Sequence, residues 1–211
     1  ISCGATFEKI DDARAITNLS SGKMGLRIAD EAYALGANVT IIYGQTEKLP
    51  PSGINCIYAP NHSLMNKYVK ENAKNNDIFI SVAAISDYIP KTISGKLKKG
   101  NNKFSLEFQQ SSDILLETAS EFNNLFCVGF SAESENIIKN AQAKLKNKNL
   151  DMIVANSINE SMGQNSAEIY IIDKNEVIHI PKKGKEELAS NILQHIYKLE
   201  NKRGSTHEHI N

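Results

Sequence analysis

Two rhythms of apolar residues run along this chain. Short apolar or β-branched runs stand at residues 1–3, 39–43, 54–58, 77–84, 125–130 and 151–155. Between them, apolar positions recur at helical spacing. Met24, Ile28, Ala32 and Leu35 predict a helix that stops at Gly36. Leu64, Met65, Tyr68 and Val69 predict another over about residues 64–73, and Ile114, Leu115, Ala119 and Phe122 a third, capped by Ser111 and Ser112. Ser134 is placed to cap a fourth, and residues 185–199 form a last amphipathic helix. Residues 168–172 and 176–180, joined through Asp173, Lys174 and Asn175, read as a hairpin.

The run at 77–84 shows no alternation, which is how a strand buried on both faces of a parallel sheet reads. Strand and helix alternate almost throughout. The expected fold is therefore α/β: a three-layer, Rossmann-like, doubly wound and mostly parallel sheet with an added antiparallel hairpin. Ligands of such sheets sit at the carboxyl ends of the strands. That rule singles out residues 4–21, read as a loop, together with 86–103, 131–134 and 156–165. Segment 86–103 lacks apolar periodicity and is long for an idle connection. One domain over residues 1–201 is expected, followed by a polar, disordered tail at 202–211 that contains His207 and His209. A start inside a strand, without Met, fits a piece of a longer polypeptide.

Composition narrows the options. Twenty-four basic side chains balance 24 acidic ones. Diffuse attraction to nucleic acid or to an anionic membrane is therefore not expected. No apolar run approaches the roughly 20 residues of a membrane span, and no signal-peptide pattern opens the chain, so a cytoplasmic location is expected. Cys3, Cys56 and Cys127 lie in predicted strands among apolar neighbours and read as core packing. Only 3 of the 24 basic residues are Arg, so each lysine is by default solvated surface and each arginine draws notice.

The small-residue stretch Gly4, Ala5 and Thr6 through Gly22 and Lys23 leads into a helix start, where free N–H groups favour an anion. It is not a Walker A loop, because Met24 follows Lys23, and it is not G-x-G-x-x-G. Arg14 is suited to grip a phosphate or carboxylate at two points, but it also reads as the ion-pair partner of Asp11 or Asp12. Asp87 follows the buried strand and is placed to accept from a ribose hydroxyl or base amine, or to cap a turn. Lys96, Lys98 and Lys99, with Lys144 and Lys148 on one helix face, could neutralise a triphosphate or simply decorate the surface. Glu133 and Glu135 could hold a metal ion or cap a helix. None of the five histidines completes a Ser/His/Asp set, so a covalent nucleophile is not expected.

Taken in order, Gly4-Ala5-Thr6, Arg14, Ile16-Thr17-Asn18, Ser20-Ser21-Gly22-Lys23-Met24-Gly25, Ala83-Ala84-Ile85-Ser86-Asp87-Tyr88, Lys96-Leu97-Lys98-Lys99, Asp113-Ile114, Val128-Gly129-Phe130-Ser131-Ala132-Glu133 and Asp151-Met152-Ile153-Val154-Ala155-Asn156 resemble phosphopantothenoylcysteine synthetase. That family is the ligase half of a bifunctional bacterial coenzyme A enzyme. The resemblance implies that 4'-phosphopantothenate and L-cysteine are joined through an acyl-cytidylate, with CTP as substrate and Mg2+ accompanying it. A flavin-dependent decarboxylase domain, which alone would carry FMN, precedes the ligase in such enzymes.

Residue by residue, the resemblance implies that Asn18 holds the acyl-cytidylate and that Lys96 is the catalytic lysine. Gly4, Ala5, Thr6, Arg14, Gly22 and Lys23 fall in the phosphopantothenate-binding stretch. Nucleotide contacts are implied for Ser81, Val82, Ala83, Asp87, Lys96, Ser112, Asp113, Ile114, Leu115, Phe130, Lys144 and Lys148; no metal ligand is implied. A homodimer joined through strands after the core sheet is implied, and a higher oligomer where the decarboxylase is fused. The chain departs from the family pattern at Ala5 (a glycine there), at Ser111-Ser112 (Asn-Pro), and in a loop from Asp87 to Lys96 one residue shorter.

Two other readings share the fold class. An NAD(P)-dependent oxidoreductase lacks its glycine fingerprint here and the acid after residues 39–43. A non-catalytic subunit would have no need to keep Asn18, Asp87 and Lys96 together.

Overall fold

The computed structural model describes residues 1–100, 103–158 and 164–207, with side chains through Arg203. An eight-stranded sheet carries the fold. Its strands are β1 (Ser2–Cys3), β4 (Thr40–Tyr43), β5 (Asn55–Tyr58), β6 (Ile78–Ser81), β9 (Phe126–Glu133), β10 (Met152–Ser157), β11 (Ser166–Asp173) and β12 (Val177–Gly184), in the order β12-β11-β10-β9-β6-β1-β4-β5. From β5 to β10 neighbours pair parallel, whereas β11 pairs antiparallel with β10 and with β12. This is the doubly wound order, and the winding reverses between β1 and β6, where Ser2 pairs with Ser81. The expected α/β class and hairpin addition are both found.

Helices α1 (Lys23–Ala34), α2 (His62–Ala73), α3 (Ile114–Glu121), α4 (Ile137–Asn147) and α5 (Lys185–His207) cover the sheet. Helices α2, α3 and α4 enclose one core around Met65, Phe79, Leu115, Leu145 and Ile153. On the other face, α5 buries Leu188, Ile192 and Ile196 against Val128, Val154 and Ile171. Each such side chain contributes about 1.5–3 kcal/mol on leaving water.

Several expectations need correction. Residues 4–21 are not a plain loop: β2 (Phe7–Lys9) and β3 (Ala15–Thr17) form a hairpin. Part of 86–103 is also ordered, because β7 (Tyr88–Pro90) pairs with β8 (Phe108–Gln110). These strands are three residues long and largely exposed, too short for a period-2 pattern. Leu35 is 69% exposed at the end of α1, and Cys56 is exposed on the edge strand β5. Asp113, not Ser111 or Ser112, caps α3, and Asn136 at φ 51 precedes α4 in place of Ser134.

Helix α5 continues through His207, into the segment expected to be disordered. The remaining tail with His209, and parts of 86–103 and 156–165, lie outside the described residues. No described helix is long and apolar enough to cross a membrane.

At the turn from β11 to β12, buried Asp173 accepts from the N–H groups of Asn175 (2.7 Å) and Glu176 (3.0 Å), and from His195 Nε2 at 2.8 Å. Burial pushes this carboxyl up, but those bonds outweigh it and leave it below the usual carboxylate range. Glu176 is held by Lys198 at 2.9 Å. Asp173, Glu176 and His195 converge closely enough to suggest a metal, but these bonds use their ligand atoms to lock the hairpin onto α5.

Candidate active site

A cleft of about 530 Å3 opens where the winding reverses. Asn18, Gly22 and Lys23 line one side; Ser81, Val82, Ala83 and Asp87 follow β6 along the floor; Ser112, Asp113, Ile114 and Leu115 begin α3 opposite. Phe130 from β9 and Lys144 and Lys148 from α4 complete the set. Residues far apart in sequence meet in one hollow largely because parallel strands deliver their successors to the same edge, with α4 adding its lysines.

Two helix starts face this hollow. At α1, Gly22 takes φ 73, has no side-chain cap, and no acid occupies the first turn. A Cβ on Gly25 would lie 2.2 Å from that of Cys3, so α1 begins directly against β1. Such a helix start attracts an anion.

Opposite, Asp113 Oδ1 accepts from Leu116 N at 3.0 Å, and Lys148 Nζ stands 2.7 Å from Asp113 Oδ2. The turn before it is anchored from behind. Buried His62 donates from Nε2 to the Ser112 carbonyl at 2.8 Å, and its backbone N–H donates to Glu8 Oε1 at 2.8 Å. Burial pushes the Glu8 carboxyl up.

Lys144 Nζ donates to Glu133 Oε1 at 2.6 Å and to Ser131 Oγ at 3.1 Å, and Asn140 also donates to Glu133. Burial alone would raise the Glu133 carboxyl, yet these bonds, with that from Ser131, leave it lowered. Glu133 therefore neither caps α4 nor stands open to a metal. Among the described residues lining the cleft, Asp87 and Asp113 are the carboxylates, and Asp113 is already used twice.

Asn18 Nδ2 donates to the Ala84 carbonyl at 3.1 Å, which fixes its side chain at the rim. Other candidates lie elsewhere. Gly4, Ala5 and Thr6 are buried behind the cleft: Ala5 bridges to Gln45 and Ala84, and Ser86 N donates to Thr6 Oγ1 at 3.0 Å. The methyl of Ala5 is thus scaffold. Arg14 and Lys96 share a separate hollow of about 860 Å3. Arg14 is committed to Asp11, Nε to Oδ2 at 3.0 Å, and to the Leu97 carbonyl at 2.6 Å.

Sequence reasoning missed two contributors. His62 completes no Ser/His/Asp set in the sequence, and nothing local marks its reach to Ser112. Lys185 also lines the cleft. A signal for it existed: β12 runs in the direction of β10, so the residue after Gly184 emerges at the ligand-bearing edge.

The family model described as the DNA/pantothenate metabolism flavoprotein C-terminal domain matches residues 1–199. The coenzyme A biosynthesis bifunctional protein CoaBC of Borreliella burgdorferi is 37% identical over 201 residues, which are 93% of this chain and 51% of that protein. A cysteine/cysteine sulfinic acid decarboxylase from an unknown prokaryotic organism is 38% identical over 206 residues, 94% of this chain and 57% of that protein. The chain thus spans about half the length of the curated relatives it matches. A crystal structure of the C-terminal domain of CoaBC superposes with a TM-score of 0.82 at 34% identity, covering 95% of this chain and 94% of that one. By sequence and by fold, the chain belongs to the family of the DNA/pantothenate metabolism flavoprotein C-terminal domain.

Proposed function

We propose that this domain is a CTP-dependent phosphopantothenate–cysteine ligase of coenzyme A biosynthesis. A carboxylate oxygen of 4'-phosphopantothenate attacks the α-phosphorus of CTP; the bond to the β-phosphate oxygen breaks and pyrophosphate leaves. The cysteine amine then attacks the acyl carbon of the acyl-cytidylate, loses a proton, and expels CMP. The observation that carries this reading is the reversal-point cleft, faced by two helix starts and rimmed by Asn18, in a member of this family. Such chemistry needs positioning and charge neutralisation rather than a protein nucleophile.

Asn18 would hold the acyl-cytidylate, and the turn from Ser112 to Leu115 with Phe130 would hold the nucleotide. Lys96 would act after the loop that carries it moves from its own hollow to the cleft. Magnesium would be held by Asp87, the one carboxylate lining the cleft that no described side chain or N–H engages. When bound, it would offset phosphate charge. A homodimer, and a preceding FMN-binding decarboxylase domain, belong to this proposal; the decarboxylase name of one relative is assigned to that other domain.

The test is pyrophosphate release with Mg2+, CTP and 4'-phosphopantothenate, with and without cysteine, beside Asn18→Ala. Release by the parent protein, with the variant failing to complete the amide, is the expected result. A parent protein that binds CTP yet releases nothing would favour the non-catalytic subunit.

A further inference from the structure

The lysines of the cleft differ in what they touch. Lys144 is bonded to Glu133, Lys148 to Asp113 and Lys23 to Glu47 at 3.0 Å. Lys185, the first residue of α5, has no acidic partner within ion-pair distance among the described residues. It is nevertheless half-buried and lines the cleft beside Lys23. The two lysines also border a second hollow, lined by α1, Lys48, Leu49, Pro51 and Gly184, so they stand as a wall between the two hollows. Burial and the neighbouring Lys23 charge push the Lys185 ammonium down, and Glu47 opposes this only in part. A half-buried cation whose charge is offset only in part, with no acid in ion-pair contact, is costly, and its cost falls when an anion arrives.

The setting also selects the kind of anion. Lys23 opens α1, whose uncapped start faces the same space. Two ammonium groups and a helix start at one wall suit a group with several phosphate oxygens better than one carboxylate. The three paired lysines must break or share an existing ion pair to take a ligand; Lys185 does not.

We infer that Lys185 is a substrate-binding residue, which with Lys23 takes the β- and γ-phosphates of the nucleotide and then the departing pyrophosphate. This rests on the proposed use of CTP. It also explains why the segment joining β12 to α5 returns to the cleft edge, because that return is what brings an ammonium from the end of the chain to the start of α1.

The experiment is calorimetric titration of the whole chain and of its Lys185→Met and Lys185→Arg variants with CTP, CMP and inorganic pyrophosphate, at one fixed magnesium concentration. Met keeps the apolar stem and removes the charge. The expected result is about a tenfold loss of affinity for CTP and pyrophosphate in Lys185→Met, with CMP within about twofold of the parent and partial recovery in Lys185→Arg. Unchanged CMP binding also shows that the variant is folded. Equal losses for CTP and CMP, or none for either, would overturn the role of Lys185 while leaving the ligase reading intact. A parent protein that binds neither CTP nor pyrophosphate would overturn both.

Discussion

Asp11 is joined to Leu97 directly, and a second time through Arg14, across the interval between the β2–β3 hairpin and the lysine-rich loop. Asp11 Oδ2 accepts from Leu97 N at 3.0 Å, and Arg14, held by the same carboxylate, donates to the Leu97 carbonyl at 2.6 Å. Asp12 N also donates to the Gly95 carbonyl at 3.3 Å, and Ile93 N to that of Ile10 at 2.8 Å. The neighbour of Lys96 is thus tied to the hairpin that leads into Asn18. Arg14 serves here as a clamp, which is the use of an arginine that grips one acid at two points.

Asp11→Ala should therefore act through Lys96. The expected outcome is a fall in kcat of about tenfold to a hundredfold, the scale of a catalytic group displaced by about 1 Å. CTP affinity should stay near that of the parent. Steady-state kinetics beside a CTP titration separates the two, and equal damage to both would assign Asp11 to general stability.

The same clamp has a pH sign. The Arg14 hydrogen bond, with three from backbone N–H groups, holds the Asp11 carboxyl well below the ordinary carboxylate range, despite burial. A depressed folded-state value means that the clamp contributes fully above the unfolded value, near 4. Its contribution declines as pH falls below that toward the folded value. Trypsin cleavage at Lys96, Lys98 or Lys99 should therefore be steady at neutral pH; the protection of the Leu97 amide, its exchange compared with the intrinsic rate at each pH, should fall only below about pH 4.

Substrates should also change the loop. If residues 91–100 close over the cleft, CTP with 4'-phosphopantothenate will slow proteolysis there. Cleavage at one rate with and without nucleotide would show that Lys96 stays in its own hollow.

His62→Ala removes the donor to the Ser112 carbonyl and leaves a part-buried acceptor without that partner, at a cost of about 1–3 kcal/mol. For a chain of this size, that corresponds to a melting temperature lower by about 2–12 °C, at about 2–4 °C per kcal/mol. Because Ser112 lines the cleft, CTP affinity should fall as well. His62→Gln, which can still donate an N–H, should recover part of both losses.

Gly25→Ala should cost about 1–3 kcal/mol or more, because its Cβ would fall 2.2 Å from that of Cys3 in a junction with no slack. Gly100→Ala is the control: no atom of the described residues beyond its chain neighbours lies within 4 Å of the added methyl, and the backbone is not left-handed. Thermal unfolding of both distinguishes close approach from a general intolerance of methyl groups.

The parallel sheet, its order of helices and the added hairpin were all legible as periodic patterns, since residues such as Val128, Ile153 and Ile171 must face a core. Asn18 and Asp87 lie in segments that the rule of ligands beyond strand ends picks out. Ser112, at the turn into α3, and Lys148, at the end of α4, lie outside those segments and were legible as site residues only through the family resemblance. The β2–β3 and β7–β8 pairs were not legible. Their pairing is fixed by contacts such as that of Phe7 N with the Pro60 carbonyl at 2.8 Å, which leave no trace in local hydropathy. Arg14 could be read toward a ligand or toward Asp11, and only geometry decides for the acid. Lys185 looked like any helix-start lysine until the direction of β12 was known.

The position of Lys185 has a consequence for biogenesis. The wall it forms with Lys23 unites the first helix with the last, so the cleft depends on contacts of very high sequence separation. A growing chain can pack β1, β4 and β6 with their helices before α5 has been synthesised, but the phosphate-facing wall is then missing. Nucleotide affinity should consequently rise late during synthesis, and ribosome-stalled chains of increasing length would gain CTP binding only once α5 has cleared the exit tunnel.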